Sequence, residues 1–225
     1  PVFIDIFTHG RDPHGEVAKM LGITRKKAKV ANFGVLYGLS DESFAVKFDV
    51  TTEQAHQIVG DYHNTYYGFA KWKVATENFA KKHGYVKNLF GRIRQLPMAA
   101  KTRYDKDFRF GEFSKDMRRA VNTIIQGTGA DIMKLATIAT VNEIKRRGLD
   151  AHFLLQVHDE NLIEVRIDQA KEVEQIMIDC MENTTKLCVP LEADGKIISK
   201  WGEMKDDSCI SYFDRFDYSL ISSVL

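Results

Sequence analysis

No stretch of the 225-residue sequence approaches the roughly 18 consecutive apolar residues that a membrane-spanning helix needs. The opening PVFIDIF has no basic segment ahead of its apolar residues, so it does not read as a secretory signal. These two absences predict a cytoplasmic protein with no membrane partner. Cysteine is scarce: Cys180, Cys188 and Cys209 form no CxxC pair and stand apart from any histidine cluster, which argues against a zinc site or dithiol redox chemistry. The sequence also lacks an initiator methionine at Pro1, and the expectation is a piece of a longer or processed protein.

Net charge is almost absent, at +1, but this balance hides a strong polarity. Lys81 to Arg119 carries 12 Lys and Arg against 4 Asp and Glu, whereas His158 to the end carries 7 against 15. The basic block, with Tyr85, Phe90, Tyr104, Phe108, Phe110 and Phe113 among its cations, suits phosphates and stacked bases, or a solvated face over an ordinary core. An acidic half beside a basic half fits an enzyme that handles both metal ions and polyanions.

What is present is a helix signal from Arg25 to Gly38, RKKAKVANFGVLYG, with Thr24 as N-cap and Gly38 as stop. Arg25, Lys29, Phe33 and Tyr37 recur at steps of four, so two cations and two aromatics share one helix face about 18 Å long. Such a strip suits a nucleotide laid lengthwise, phosphates on the cations and base and sugar on the rings. It is equally the pattern of an ordinary helix with a solvated start and a packed end. The rest predicts short helices over 1–9, from the HGRDPHGE turn to Met20, over LSDESFAVKF, from Thr51 or Thr52, and from Gly68 to a stop at Gly84. YVKNLFGRIRQLP reads as a basic hairpin around Asn88 to Gly91, Ala99 to Phe113 as a loop, and Ser114 to Arg147 as a Ser114-capped helix interrupted at QGTGAD. In AHFLLQVHDENLIEVRI two β-rich runs flank His158, Asp159 and Glu160, a hairpin with carboxylates at a three-residue tip lacking Gly and Pro. An amphipathic helix beginning near Asp168 and a returning strand follow.

The string RKKAKVANFGVLYG meets every fixed position of RxxxKxxxFGxxYG and so resembles the fingers helix of the family A DNA polymerases, the bacterial polymerase I and T7-like phage group. RRAVNTIIQGTGADIMK is similar to the family's RxxxNxxxQGxxADxxK helix, QVHDE to its second catalytic motif, and the 84–97 segment to its GYVxTxxGRxRxLP outline. The resemblance implies an α+β fold: a helical fingers subdomain at 1–113, part of an antiparallel-sheet palm at 114–205, and an unassigned tail at 206–225. It implies DNA-directed DNA synthesis by two-metal nucleotidyl transfer on dNTPs and primer–template DNA. Asp159 and Glu160 would hold Mg2+, and Arg25 and Lys29 would neutralise the triphosphate beside Phe33 and Tyr37. His14 would approach the triphosphate, although Pro13 stands where the family has an aliphatic residue. Arg118, Asn122 and Gln126, with Gln156 and His158, would contact the primer–template.

The family's other metal-binding aspartate belongs to a DYSxIExR string upstream of the His14 position, and no such string exists in this sequence. One aspartate does not hold two metal ions. The chain is therefore expected to be inactive alone and to work with a missing N-terminal polymerase portion, covalent or as a split subunit. Two other readings remain at this stage. A single-subunit RNA polymerase piece shares the Arg-Lys-Tyr-Gly logic but departs at Phe33 and Glu160, and a noncatalytic nucleic-acid-binding subunit would keep the fold without the chemistry.

Overall fold

The structure, a computed structural model, describes residues 2–200 and the backbone of 218–224. The expected turn at Trp201–Met204 and most of the 206–225 tail lie outside the described residues. Two compact units make up the chain, residues 1–128 and 129–225. Helices and small antiparallel sheets give the α+β class.

The first unit opens with six helices: α1 (Val2–Thr8), α2 (Pro13–Leu21), α3 (Arg25–Leu36), α4 (Asp41–Phe48), α5 (Thr52–Thr65) and α6 (Tyr67–His83). Four of them start on side-chain caps, Asp12, Thr24, Ser40 and Thr51, the last forming a reciprocal box with Gln54. Each cap satisfies an amide that the first helical turn leaves unpaired, a contribution of about 1 kcal/mol apiece. Because Asp12 is the cap and Pro13 the first helical residue, His14 belongs to the first turn of α2 and not to the preceding loop. Helix α3 turns Ala28, Ala31, Asn32 and Val35 inward, the i, i+3, i+4, i+7 stripe of an amphipathic helix. Three of these four join Val17, Phe44 and Tyr62 in the largest core cluster.

The end of α3 explains the two glycines of its motif. Leu39 N–H donates to Gly34 O at 2.8 Å and Gly38 N–H to Val35 O at 3.2 Å, the paired bonds of a Schellman motif. Gly38 takes φ +74°, a left-handed conformation that costs a residue with a Cβ about 1–2 kcal/mol. A Cβ on Gly34 would stand 3.2 Å from Leu39 Cδ2, so its absence lets Leu39 fold back over the last turn.

Strands β1 (Tyr85–Lys87) and β2 (Ile93–Gln95) form the expected basic hairpin, Tyr85 opposite Gln95. Asn88 organises its loop, accepting through Oδ1 from Phe90 N at 3.1 Å and Arg92 N at 2.9 Å. Helix α7 (Phe110–Arg147) differs from expectation: it begins four residues before Ser114 and runs unbroken through QGTGAD, about 57 Å in all. Neither Gly127 nor Gly129 leaves the negative-φ region. Gly127 faces the hairpin loop, where a Cβ would make ordinary van der Waals contact with the Asn88 side chain at 3.6 Å, and Leu89 N–H donates to Thr128 Oγ1 at 3.2 Å. Ala120 on the same helix joins Ala80, Val86, Leu96 and Ala99 in a second core. The first half of α7 thus packs with the hairpin, and the two compact units divide inside the helix.

The second unit holds β3 (Ala151–Val157), β4 (Glu160–Arg166), a 3-10 turn over Ile167–Gln169, α8 (Ala170–Asn183), β5 (Asp194–Ile198) and β6 (Tyr218–Val224). Its sheet is antiparallel with order β3-β4-β6-β5. Ile163 and Val165 from β4 pack with Val173 and Met177 from α8 and Ile144 from α7. Part of the tail left unassigned by sequence is thus a strand of this sheet.

Candidate functional site

In the first unit the strip from Arg25 to Tyr37 is exposed along Arg25, Lys29 and Phe33, with Tyr37 half-buried as the C-cap of α3. Phe33 and Tyr37 stack with centroids 5.9 Å apart and planes 10° apart, and His14 tilts against Phe33 at 5.5 Å. Such ring pairs contribute about 0.5–1.5 kcal/mol beyond their buried area. Arg25 is not a free cation: its Nε donates to Asp12 Oδ2 at 2.5 Å and its Nη2 to Asp12 Oδ1 at 3.2 Å. The Arg25 hydrogen bonds hold the Asp12 carboxyl below its usual range, and the cap bonds to His14 N and Gly15 N add to this. Asp12 thereby caps α2 and orients Arg25 with one carboxylate.

His14 is anchored from behind. Its Nδ1 lies 3.2 Å from Asn32 Nδ2, and Asn32 Oδ1 accepts from the Tyr62 hydroxyl. Asn32 is 2% exposed and Tyr62 fully buried. Burial holds the imidazole below its ordinary pKa; Asp12 opposes this, and Arg25 and Lys29 reinforce it. Sequence reasoning missed Asn32 and Tyr62, although an amide on the inward face of α3, between Ala28 and Val35, is a polar residue at a core position and signals a buried bond.

Two clefts in the first unit gather the motif residues. One, of about 580 Å³, is lined by Phe33, Tyr37, Gly38 and Lys47 together with Arg118 from α7. A Cβ on Gly38 would come within 3.4 Å of Arg118 Cγ, so the arginine rests on the end of the strip. The other, of about 640 Å³, is lined by Asn122, Gln126 and Arg119 of α7 and by Asn88, Arg92 and Arg94 of the hairpin. Asn122 Oδ1 is buried and has no hydrogen-bond partner among the described residues. The row Arg118, Asn122, Gln126 therefore divides: the arginine serves the aromatic cleft and the amides face a basic groove.

In the second unit the acidic hairpin is tighter than expected. Val157 pairs with Glu160, so only His158 and Asp159 form the turn and Glu160 is the first residue of β4. His158 takes φ +54°, the sign that hairpin-compatible turns need at their first central residue and one that costs a non-glycine residue of order 1 kcal/mol or more. Gln156 Nε2 donates to His158 O at 2.9 Å and braces the turn. Asp159 is exposed, whereas Glu160 Oε1 is buried with no hydrogen-bond partner among the described residues. Behind the tip, Asn161 is buried and its Oδ1 lies 3.1 Å from Thr137 Oγ1 of α7. Two adjacent carboxylates, one with an unpaired oxygen, are the hard oxygen donors that suit a divalent cation. Among the described residues no group of three His, Cys, Asp or Glu side chains converges as a metal cage.

Another signal lay in the tail. Asp217, Tyr218, Ser219 and Ile221 meet the first four fixed positions of DYSxIExR, after which Ser222 and Val224 replace its Glu and Arg. Asp217 is outside the described residues. Tyr218 pairs with Arg166 and Val224 with Glu160, so the Tyr-Ser end of the string stands about 20 Å along β4 from the acidic tip.

Comparison with known proteins agrees with these motifs. The profile described as DNA polymerase family A matches residues 1–203. DNA polymerase I of Borreliella burgdorferi is 34% identical over 212 residues, 90% of this chain and 23% of that protein. Thermostable DNA polymerase I of Thermus filiformis is also 34% identical over 212 residues, 90% of this chain and 24% of that protein. Among solved structures, the POL domain of Pol1 from M. smegmatis, in complex with DNA primer-template and dNTP, superposes with a TM-score of 0.77 at 32% identity, covering 84% of this chain and 34% of that chain. The chain spans about a quarter of the length of these two full-length relatives. With strip, amide row and acidic hairpin all inside the matched region, the chain belongs to DNA polymerase family A.

Proposed function

We propose that this chain carries the nucleotide-binding fingers and the second half of the palm of a DNA-directed DNA polymerase, and that it extends a DNA primer with dNTPs in the cytoplasm. The observation that carries this reading is the aromatic cleft, where Phe33 and Tyr37 from one motif meet Arg118 from another about 80 residues away in sequence. Arg25 and Lys29 bind the triphosphate, and their fixed positive charge stabilises the negative charge that grows on it. Phe33 and Tyr37 pack against base and sugar. Asn122 and Gln126, beside the arginines of the hairpin, hold the primer–template through groove acceptors common to all base pairs, which is what sequence-tolerant copying requires. Gln156 and His158 lie by the primer end.

Asp159 and Glu160 would hold magnesium, which when bound would supply electrostatic stabilisation at the attacking 3′ oxygen and the departing pyrophosphate. Two carboxylates are too few for a pair of ions, and the Tyr-Ser end of the tail string stands at the far end of β4 from the tip. A further aspartate, on the remainder of the polymerase or on a separate subunit, completes the site. Primer extension tests this. The 225-residue chain alone should give no product, and mixing or fusing it with a polymerase piece carrying DYSxIExR should give magnesium-dependent extension with dNTPs. Strong extension by the chain alone overturns the incomplete-site reading. DNA binding with no extension in either arm overturns the enzymatic one and favours a noncatalytic subunit.

A further inference from the structure

The buried side of the strip holds a bond chain that the polymerase reading does not use. Tyr62, on α5, is fully buried, and the Asn32 amide is its hydroxyl's hydrogen-bond partner. Asn32 in turn faces the Nδ1 atom of His14. If the tyrosine proton goes to Asn32 Oδ1, the amide nitrogen is the atom left to face the imidazole. An amide nitrogen only donates, so His14 Nδ1 must be the accepting lone pair and the ring proton must sit on Nε2. Turning the amide over would reverse this, but would leave a buried tyrosine proton with no acceptor among the described residues, the costly arrangement.

We propose that Asn32, locked by Tyr62, is a positioning residue that fixes His14 as the Nε2–H tautomer, so that the histidine offers a donor and not a lone pair to a phosphate oxygen of the bound nucleotide. The phosphate part rests on the nucleotide-binding reading above; the tautomer part does not. The logic is electrostatic. Next to Arg25 and Lys29 an anion is drawn in, and a neutral ring helps hold it only if the edge across from the buried amide carries the proton. An accepting nitrogen there would repel the same oxygen.

The test reads the tautomer directly. Long-range proton–nitrogen correlation spectra of the nitrogen-15-labelled 225-residue chain, above the pH at which His14 titrates, report which ring nitrogen is protonated, and His14→Gln identifies the signals. Wild type should show His14 almost wholly as Nε2–H; the opposite tautomer, or the mixture of a free imidazole, overturns the proposal without any variant. Tyr62→Phe should relax the ring toward a mixture. Asn32→Asp, whose carboxylate only accepts, should move the proton to Nδ1. An unchanged His14 pattern in either folded variant refutes the relay. Deoxynucleoside triphosphate is then titrated into the wild type. Movement of the Nε2 resonance with Nδ1 still unprotonated supports the phosphate contact. No response while the tautomer is as expected removes the phosphate contact and leaves the relay intact.

Discussion

The nucleotide strip and the acidic tip are built on opposite plans. Behind the strip stand a carboxylate that caps one helix and clamps Arg25, a buried amide, a buried tyrosine and a Schellman turn. The tip rests on a two-residue turn with a positive-φ histidine, braced by one glutamine side chain, and its Glu160 keeps a buried oxygen with no partner among the described residues. Among the described residues the buried polar groups of Asn32 and Tyr62 behind the strip are paired, and Glu160 Oε1 at the tip is not. A region whose bonds are already made binds by shape and fixed charge, whereas one with unpaired acceptors is set up to gain its partners from a cation or another segment.

Substitutions should separate the two plans. The largest effect is expected at the tip: Asp159→Ala in the reconstituted polymerase should lower the extension rate about a thousandfold, since metal stabilisation is worth several kcal/mol, while gel-shift affinity for primer–template stays close to wild type. Thermal stability should show the reverse ranking, because Asn32→Ala leaves the Tyr62 hydroxyl unpaired in the core and should cost about 2 kcal/mol, against little for Asp159→Ala. Equal melting temperatures for those two variants would erase the contrast. Lys29→Ala removes a charge-assisted phosphate contact and should weaken triphosphate binding about tenfold, read by nucleotide titration, with the fold intact. Gly38→Ala forces a Cβ into the left-handed region and should cost about 1 kcal/mol in denaturant unfolding.

The smallest effect concerns pH. Arg25 keeps the folded Asp12 carboxyl below its unfolded pKa, so its stabilising contribution is fully present above the ordinary carboxylate value and fades as pH falls through the lowered one. The stability gap between wild type and Asp12→Asn should therefore be constant near neutrality and narrow in acid. A gap that widens in acid would mean the carboxylate is not the stabilising form.

Much of this was legible before any coordinates. Caps at Thr24 and Thr51, the stop at Gly84 and the Asn88–Gly91 turn follow from local chemistry, in which a side chain a few residues away decides the backbone. What local chemistry could not reveal was long-range. The glycines at 127 and 129 read as a break because intrinsic propensity disfavours them in a helix, but α7 runs through both, with the Asn88 loop bonded to it at Thr128. The same limit hid the Asp12–Arg25 pair and the Asn32–Tyr62 bond, whose members lie 13 and 30 residues apart. The tip carries three consecutive polar residues, yet only two form the turn, because Glu160 is already paired with Val157. The partial string at 217–224 lacks the Glu and Arg of its motif and follows the acidic hairpin instead of preceding His14, so neither its letters nor its place matched the full pattern.

The sheet order carries one more consequence. β4 has β3 along one side and β6 along the other, so neither margin of the strand that bears Glu160 is open to an incoming backbone. A complementing fragment that sought to zip into the sheet there would first have to evict a resident strand. One that instead dropped a loop over the crest of the hairpin could deliver its carboxylate with the existing ladder undisturbed.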